Sequence, residues 1–161
     1  MAEQTIGGAP AEIEELDMTR FGAFVELAPD AIVIVNRDGR VIFLNGQAET
    51  MFGYSRGELL GKPVELLIPT RFRDRHLEHR AAYDAHPRTR PMGAGLELVG
   101  QRKDGSEFPV EVSLSPLGSD SRLVMSIIRD VTERKRAECA LRESEERFRL
   151  LVENVKDYAI I

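Results

Sequence analysis

The chain has 161 residues, a formal net charge of −5 and a pI near 5.3. That size suits one small domain with a real core, and the acidic balance argues against nucleic acid as a main partner. There is no apolar run near the roughly 18 residues of a membrane span, no charged-then-apolar leader, and a single cysteine, Cys139. A cytoplasmic chain without direct membrane contact and without a disulfide framework is therefore expected.

Residues 1–10 carry no pattern and are expected to be a disordered end. Over residues 11–28, Ile13, Leu16, Phe24 and Leu27, with Phe21 nearby, have the spacing of an amphipathic helix. Ala31 to Val35 and Arg40 to Leu44 are β-rich runs separated by Asn36-Arg37-Asp38-Gly39. Asp-Gly tolerates the positive φ of a tight hairpin, so two antiparallel strands are predicted. Asn45 is a candidate cap for the helix GQAETMF, and Ser55 and Glu58 have capping-box spacing. Thr70 is expected to cap a longer helix, Arg71 to Ala85, which stops before Pro87; a loop follows from His86 to Gly95.

Three further strands are predicted at Leu96–Arg102, Glu107–Leu114 and Arg122–Val131. The first two flank a second Asp-Gly turn, Lys103-Asp104-Gly105-Ser106. In the middle strand Val110, Val112 and Leu114 alternate with Glu111, Ser113 and Ser115, which predicts one buried face. From Thr132 to Arg149 the chain is highly charged and lacks Gly and Pro. Ala137, Leu141, Ser144, Phe148, Leu151 and Val155 form a weak heptad seam, which points to a helical connector paired with its copy in a second subunit. The alternative is a monomeric solvated helix held by charge pairs one turn apart.

The end of the chain resembles its beginning. FRLLVENVKDYAII, Phe148 to Ile161, matches FGAFVELAPDAIVI, Phe21 to Ile34, at Phe21/Phe148, Val25/Val152, Glu26/Glu153, Asp30/Asp157 and Ile34/Ile161. The expected organisation is a domain at 29–132, a connector at 133–147 and the truncated start of a second unit at 148–161, within a longer tandem protein.

LAPDAIVIVNRDGRVIFLN, AETMFGYSRGELLGKPVELLIP, GQRKDGSEFPVEVSLSP and IIRDVTERKRAE resemble the segments of a PAS domain, a sensory module of bacterial signalling proteins. The resemblance covers about residues 20 to 135. It implies an α+β fold: a five-stranded antiparallel sheet, helices over one face, a pocket between them, and flanking N- and C-terminal amphipathic helices. It further implies that Asp130, Val131 and Thr132 are the exit motif that transmits a signal to a downstream output domain, expected to be a histidine kinase. Leu16, Phe21 and Phe24 are the expected contacts of a homodimer.

Within that family, PTRFRDRH, MGAG and GQRKDGSEFP are similar to the FixL-type oxygen sensors. This similarity places the haem-ligating histidine on His76, which would hold the haem iron, and the apolar distal residues on Val112 and Leu114. The strand arginine of the oxygen sensors falls on Leu96, a helical arginine on Ala82 and a tyrosine on His79, so a haem here would meet a less polar pocket. Against this, Arg75, Glu78 and Arg80 suggest a wet helix face for His76. His76 and His79 as a metal pair lack a third clustered ligand. Cys139 lies outside the core, which disfavours a flavin-cysteine photoreceptor. The carboxylates are scattered and no phosphate loop or nucleophile elbow occurs, so no catalytic activity is expected. Three functions remain: a small-molecule sensory and dimerisation module, a haem-dependent gas sensor, and a ligand-free spacer.

Overall fold

The computed structural model describes residues 22–92, 97–117 and 122–159. Helical residues 22–26 (α1) lead into strands β1 (Ala31–Asn36) and β2 (Val41–Leu44). Helices α2 (Gly46–Phe52) and α3 (Arg56–Leu59), a 3-10 helix (Val64–Leu67) and α4 (Thr70–Ala85) follow. Strands β3 (Arg90–Pro91), β4 (Leu98–Gln101), β5 (Glu107–Leu117) and β6 (Leu123–Asp130) complete the sheet, and α5 (Thr132–Tyr158) leaves it.

The sheet is antiparallel, in the order β2-β1-β6-β5-β3, with β4 also paired to β5. β3 pairs Arg90 with Leu114, while β4 pairs Leu98 with Val110. Two short strands thus share one edge of β5, giving six strands where five are expected. β3 lies inside the stretch predicted as loop, because two residues are too few to show an alternating pattern.

Both Asp-Gly pairs sit at hairpin turns. Gly39 and Gly105 have φ of 73° and 87°, a region that only glycine enters freely. Gly39 N donates to Asn36 O and Gly105 N to Arg102 O. Each turn is locked by a side chain: Asn36 Oδ1 accepts from Asp38 N and Arg40 N, and Asp104 Oδ1 from Ser106 N.

The core lies between the sheet and α2, α3 and the 3-10 helix. Val33, Val41, Leu44, Phe52 and Leu59 are almost wholly buried. The rings of Phe52 and Phe108 meet at 5.5 Å between centroids, tilted by 58°. Each such aliphatic or aromatic side chain contributes about 1.5–3 kcal/mol by leaving water.

Asn45 caps α2 as expected, its Oδ1 accepting from Ala48 N at 3.1 Å. It does more than the sequence suggests. The side chain is fully buried; Oδ1 also accepts from Ile32 N at 2.9 Å, and Nδ2 donates to Val25 O and Asp30 O at 3.0 Å. One amide therefore ties α1, β1 and α2 together.

The cap expected at Thr70 is corrected. Pro69 holds the cap position and Thr70 is the first helical residue, with no side-chain capping bond. Proline's fixed φ and its restriction on the preceding residue set the helix start there. Residues 132–158 form one uninterrupted helix, with no break in backbone structure at the boundary expected at 147/148.

Candidate functional site

α4 lies against the 3-10 helix and the first hairpin turn with an unusual underside. Arg73, His76 and Arg80 are half-buried and Tyr83 is buried, spaced three, four and three along one helical face. The apolar residues Phe72 and Leu77 instead face outward, 38% and 45% exposed. The wet face expected for His76 is corrected: its side chain is only 17% exposed.

Polar contacts hold the helix down. Arg71 forms a two-pronged pair with Glu107 at 2.5 and 2.7 Å, Arg73 Nε donates to Ile68 O at 3.0 Å, and Tyr83 Oη donates to Arg88 O at 2.8 Å. Exposed ion pairs contribute about 0–1 kcal/mol each. With Tyr83 its only buried residue among those described, α4 is held less firmly than α2.

His76 meets Glu65 of the 3-10 helix, with Nδ1 and Oε1 3.0 Å apart. The same oxygen accepts from Arg80 Nη1 at 2.7 Å, and Arg80 Nη2 donates to Asp38 O at 3.2 Å. A carboxylate only accepts, so His76 Nδ1 carries the proton and donates it. Burial holds the imidazole below its ordinary pKa of 6.5, opposed by the Glu65 hydrogen bond, so the ring is neutral at pH 7. No hydrogen bond among the described residues engages Nε2. A neutral imidazole with Nδ1–H on a carboxylate and a free Nε2 lone pair is the arrangement an axial haem ligand needs. The donor set fits the group that the sequence resemblance implied.

The remaining expected pocket residues are placed in part. Val112 and Leu114 are half-buried on β5, and Val112 packs against the core. Leu96 lies outside the described residues. His79 is exposed, and among the described residues no cluster of three or more metal-ligating side chains occurs.

The Asp130-Val131-Thr132 segment is organised by Arg102. Asp130 Oδ1 accepts from Thr132 N at 2.9 Å and Thr132 Oγ1 at 2.5 Å, and Val131 is buried. Asp130 Oδ2 accepts from Arg102 Nη2 at 3.0 Å. Arg102 Nη1 donates to Met51 O near the end of α2, and its guanidinium lies 3.8 Å from the Phe108 ring centroid. Burial pushes the Asp130 carboxyl up, but the Thr132 hydrogen bonds and Arg102 outweigh it and hold it below its ordinary value. One guanidinium thus joins helix layer, sheet and the start of α5. The run GQRKDGSEFP contained Arg102, but only as the flank of a turn.

Ion pairs tie the start of α5 to its neighbours. Arg134 pairs with Glu111, and Lys135 with Glu97 at 2.9 Å. A groove of about 380 Å³ separates this start from Pro109, with Cys139 in its wall. Beyond it no residue is buried: Leu141, Phe148, Leu151 and Val155 are 61%, 69%, 59% and 66% exposed. Of the expected dimer contacts, Phe24 is 75% exposed, and Leu16 and Phe21 lie outside the described residues.

A sequence model of the PAS domain matches residues 29–133. The chain belongs to the PAS domain family. It is 28% identical over 126 residues to the sensor protein FixL of Bradyrhizobium diazoefficiens, covering 78% of this chain and 25% of that protein. It is 30% identical over 101 residues to the oxygen sensor protein DosP of Escherichia coli, covering 62% of this chain and 13% of that protein. The chain therefore spans a quarter or less of these relatives. The PAS domain of an HTR-like protein from Haloarcula marismortui shares its fold, with a TM-score of 0.62 and 23% identity over 74% of this chain and 95% of that one. This PAS chain is a sensory domain homologous to sensor proteins. Among its described residues no helix is long and apolar enough to cross a membrane.

Proposed function

We propose that this PAS domain is the sensory and dimerisation module of a multidomain cytoplasmic signalling protein, with a histidine kinase as the downstream output. It would bind a small molecule or gas beneath α4 and hand the change to α5. The observation that carries this reading is the Arg102 junction. A shift of α2 moves Met51 O, and Arg102 bears on both that oxygen and Asp130. Asp130 in turn holds the first residue of α5. A ligand acts by favouring one of two settings of this junction, and so of the connector.

Hydrogen exchange along α5 tests the reading. Arg102→Ala should speed exchange at residues 132–136 and uncouple it from substitutions in α2; Arg102→Lys should restore part of the protection. Unchanged exchange in Arg102→Ala would leave a ligand-free spacer as the better description.

A second reading, a haem-dependent gas sensor, is favoured by His76. Its neutral ring, fixed by Glu65, presents Nε2 as a ligand atom. A haem bound there supplies an iron that takes up small gases reversibly. Glu65 orients the ring, and the resemblance to the FixL-type sensors assigns Val112 and Leu114 to the apolar wall. Reconstitution with hemin should give a Soret band that His76→Ala abolishes without unfolding, since a helix accepts alanine well. A chain that takes up no haem ends this reading.

A further inference from the structure

His76 is held by a carboxylate that is itself held by a cation. Glu65 is 7% exposed, and one of its two oxygens, Oε1, lies 3.0 Å from His76 Nδ1 and 2.7 Å from Arg80 Nη1. The two contacts act on the imidazole in opposite senses. A carboxylate accepting from Nδ1–H raises the basicity of Nε2 and so strengthens it as a metal ligand. A guanidinium on the same oxygen draws that negative charge back. Arg80 is fixed in this role from its far side by Asp38 O at 3.2 Å.

We infer that Glu65 and Arg80 form an opposed pair that sets the donor strength of His76 toward a haem iron, Glu65 raising it and Arg80 lowering it through Glu65. Both are positioning residues, since neither offers an atom to the iron. The inference rests on the haem reading of His76. Its consequence is that ligand strength is adjustable from a residue that does not touch the iron. Arg80 reaches the first hairpin turn, and a displacement of that turn that weakens the Arg80–Glu65 contact would strengthen the iron–histidine bond.

The test uses the full chain reconstituted with hemin. The readouts are the iron–histidine stretching frequency of the ferrous form and the midpoint potential of the iron. Glu65→Gln keeps an acceptor for Nδ1–H but removes its charge, so the frequency should fall and the potential rise. Arg80→Gln frees the carboxylate, so the frequency should rise and the potential fall. The double variant should match Glu65→Gln, because Arg80 acts only through Glu65. Should Glu65→Gln fail to fold, Arg80→Gln alone still decides, since a rising frequency requires an acting Glu65. Shifts of the same sign in both single variants, or none in haem-loaded Arg80→Gln, overturn the inference while leaving His76 as ligand. A wild-type chain that binds no haem overturns the haem reading itself and this inference with it.

Discussion

The guanidinium of Arg80 lies against the backbone of Gly39: a Cβ at position 39 would fall 1.6 Å from Arg80 Nη1. Arg80 is anchored at once to Glu65 and to Asp38 O, so it cannot step aside without losing both. Gly39 also has a φ of 73°. Gly39→Ala should therefore lose about 1–2 kcal/mol from the left-handed backbone alone, and more from the displaced Arg80. Adding Arg80→Ala removes the overlap, so the double variant should be less destabilised than the sum of the singles. Urea unfolding checks this, and strict additivity would contradict the contact.

Asn45 makes the second prediction. Asn45→Ala strips the cap of α2, leaves Ile32 N unpaired in the core and takes a donor from the carbonyls of Val25 and Asp30. A loss of about 3 kcal/mol or more is expected. Asn45→Asp keeps the acceptor but faces the carbonyls of Val25 and Asp30 with a charge, so it should be destabilised as well. A loss below about 1 kcal/mol for the alanine variant would show that these bonds do not hold α1 and α2 to the sheet.

Asp130 governs a pH effect. Its folded pKa is depressed below the ordinary 3.8. The stability it contributes is then complete above 3.8 and lost as pH falls through the folded value. Asp130→Asn should be less stable than the wild type at pH 7, with the gap closing under acid. Denaturant midpoints at neutral and acid pH measure it. A gap independent of pH would mean that the carboxylate's charge is not what holds Arg102 and Thr132.

The connector supplies the fourth prediction. Leu141, Phe148, Leu151 and Val155 lie uncovered along a 27-residue helix, about 40 Å long at 1.5 Å per residue. The chain should form a dimer in which these residues face their copies. Phe148→Glu with Leu151→Glu should yield monomers while leaving the sheet intact, because neither residue touches it. Light scattering over a dilution series decides. A wild-type chain that is monomeric throughout would remove the paired connector.

Neighbours in the chain settle much of this fold between themselves. The two Asp-Gly hairpins, the Asn45 cap, the Ser55–Glu58 box and the charged helix after Val131 each depend on residues a few positions apart, whose backbone preferences are local. Asp130-Val131-Thr132 was legible through the resemblance to PAS domains, and its Asp130–Thr132 contacts are likewise local. Long-range packing alone sets where α4 faces and what reaches Asp130. α4 has no apolar stripe, so periodicity could not tell its inner face from its outer one, and the charged neighbours of His76 pointed the wrong way. His76 turns inward because Glu65, on a separate element, waits there for it and for Arg80. Arg102 meets Met51, 51 residues away, and Asp130, 28 away, only once β4 and β5 have paired and α2 has packed. Long-range polar contacts of this kind leave no period in the sequence, because each partner needs only to be polar and to arrive in the right place.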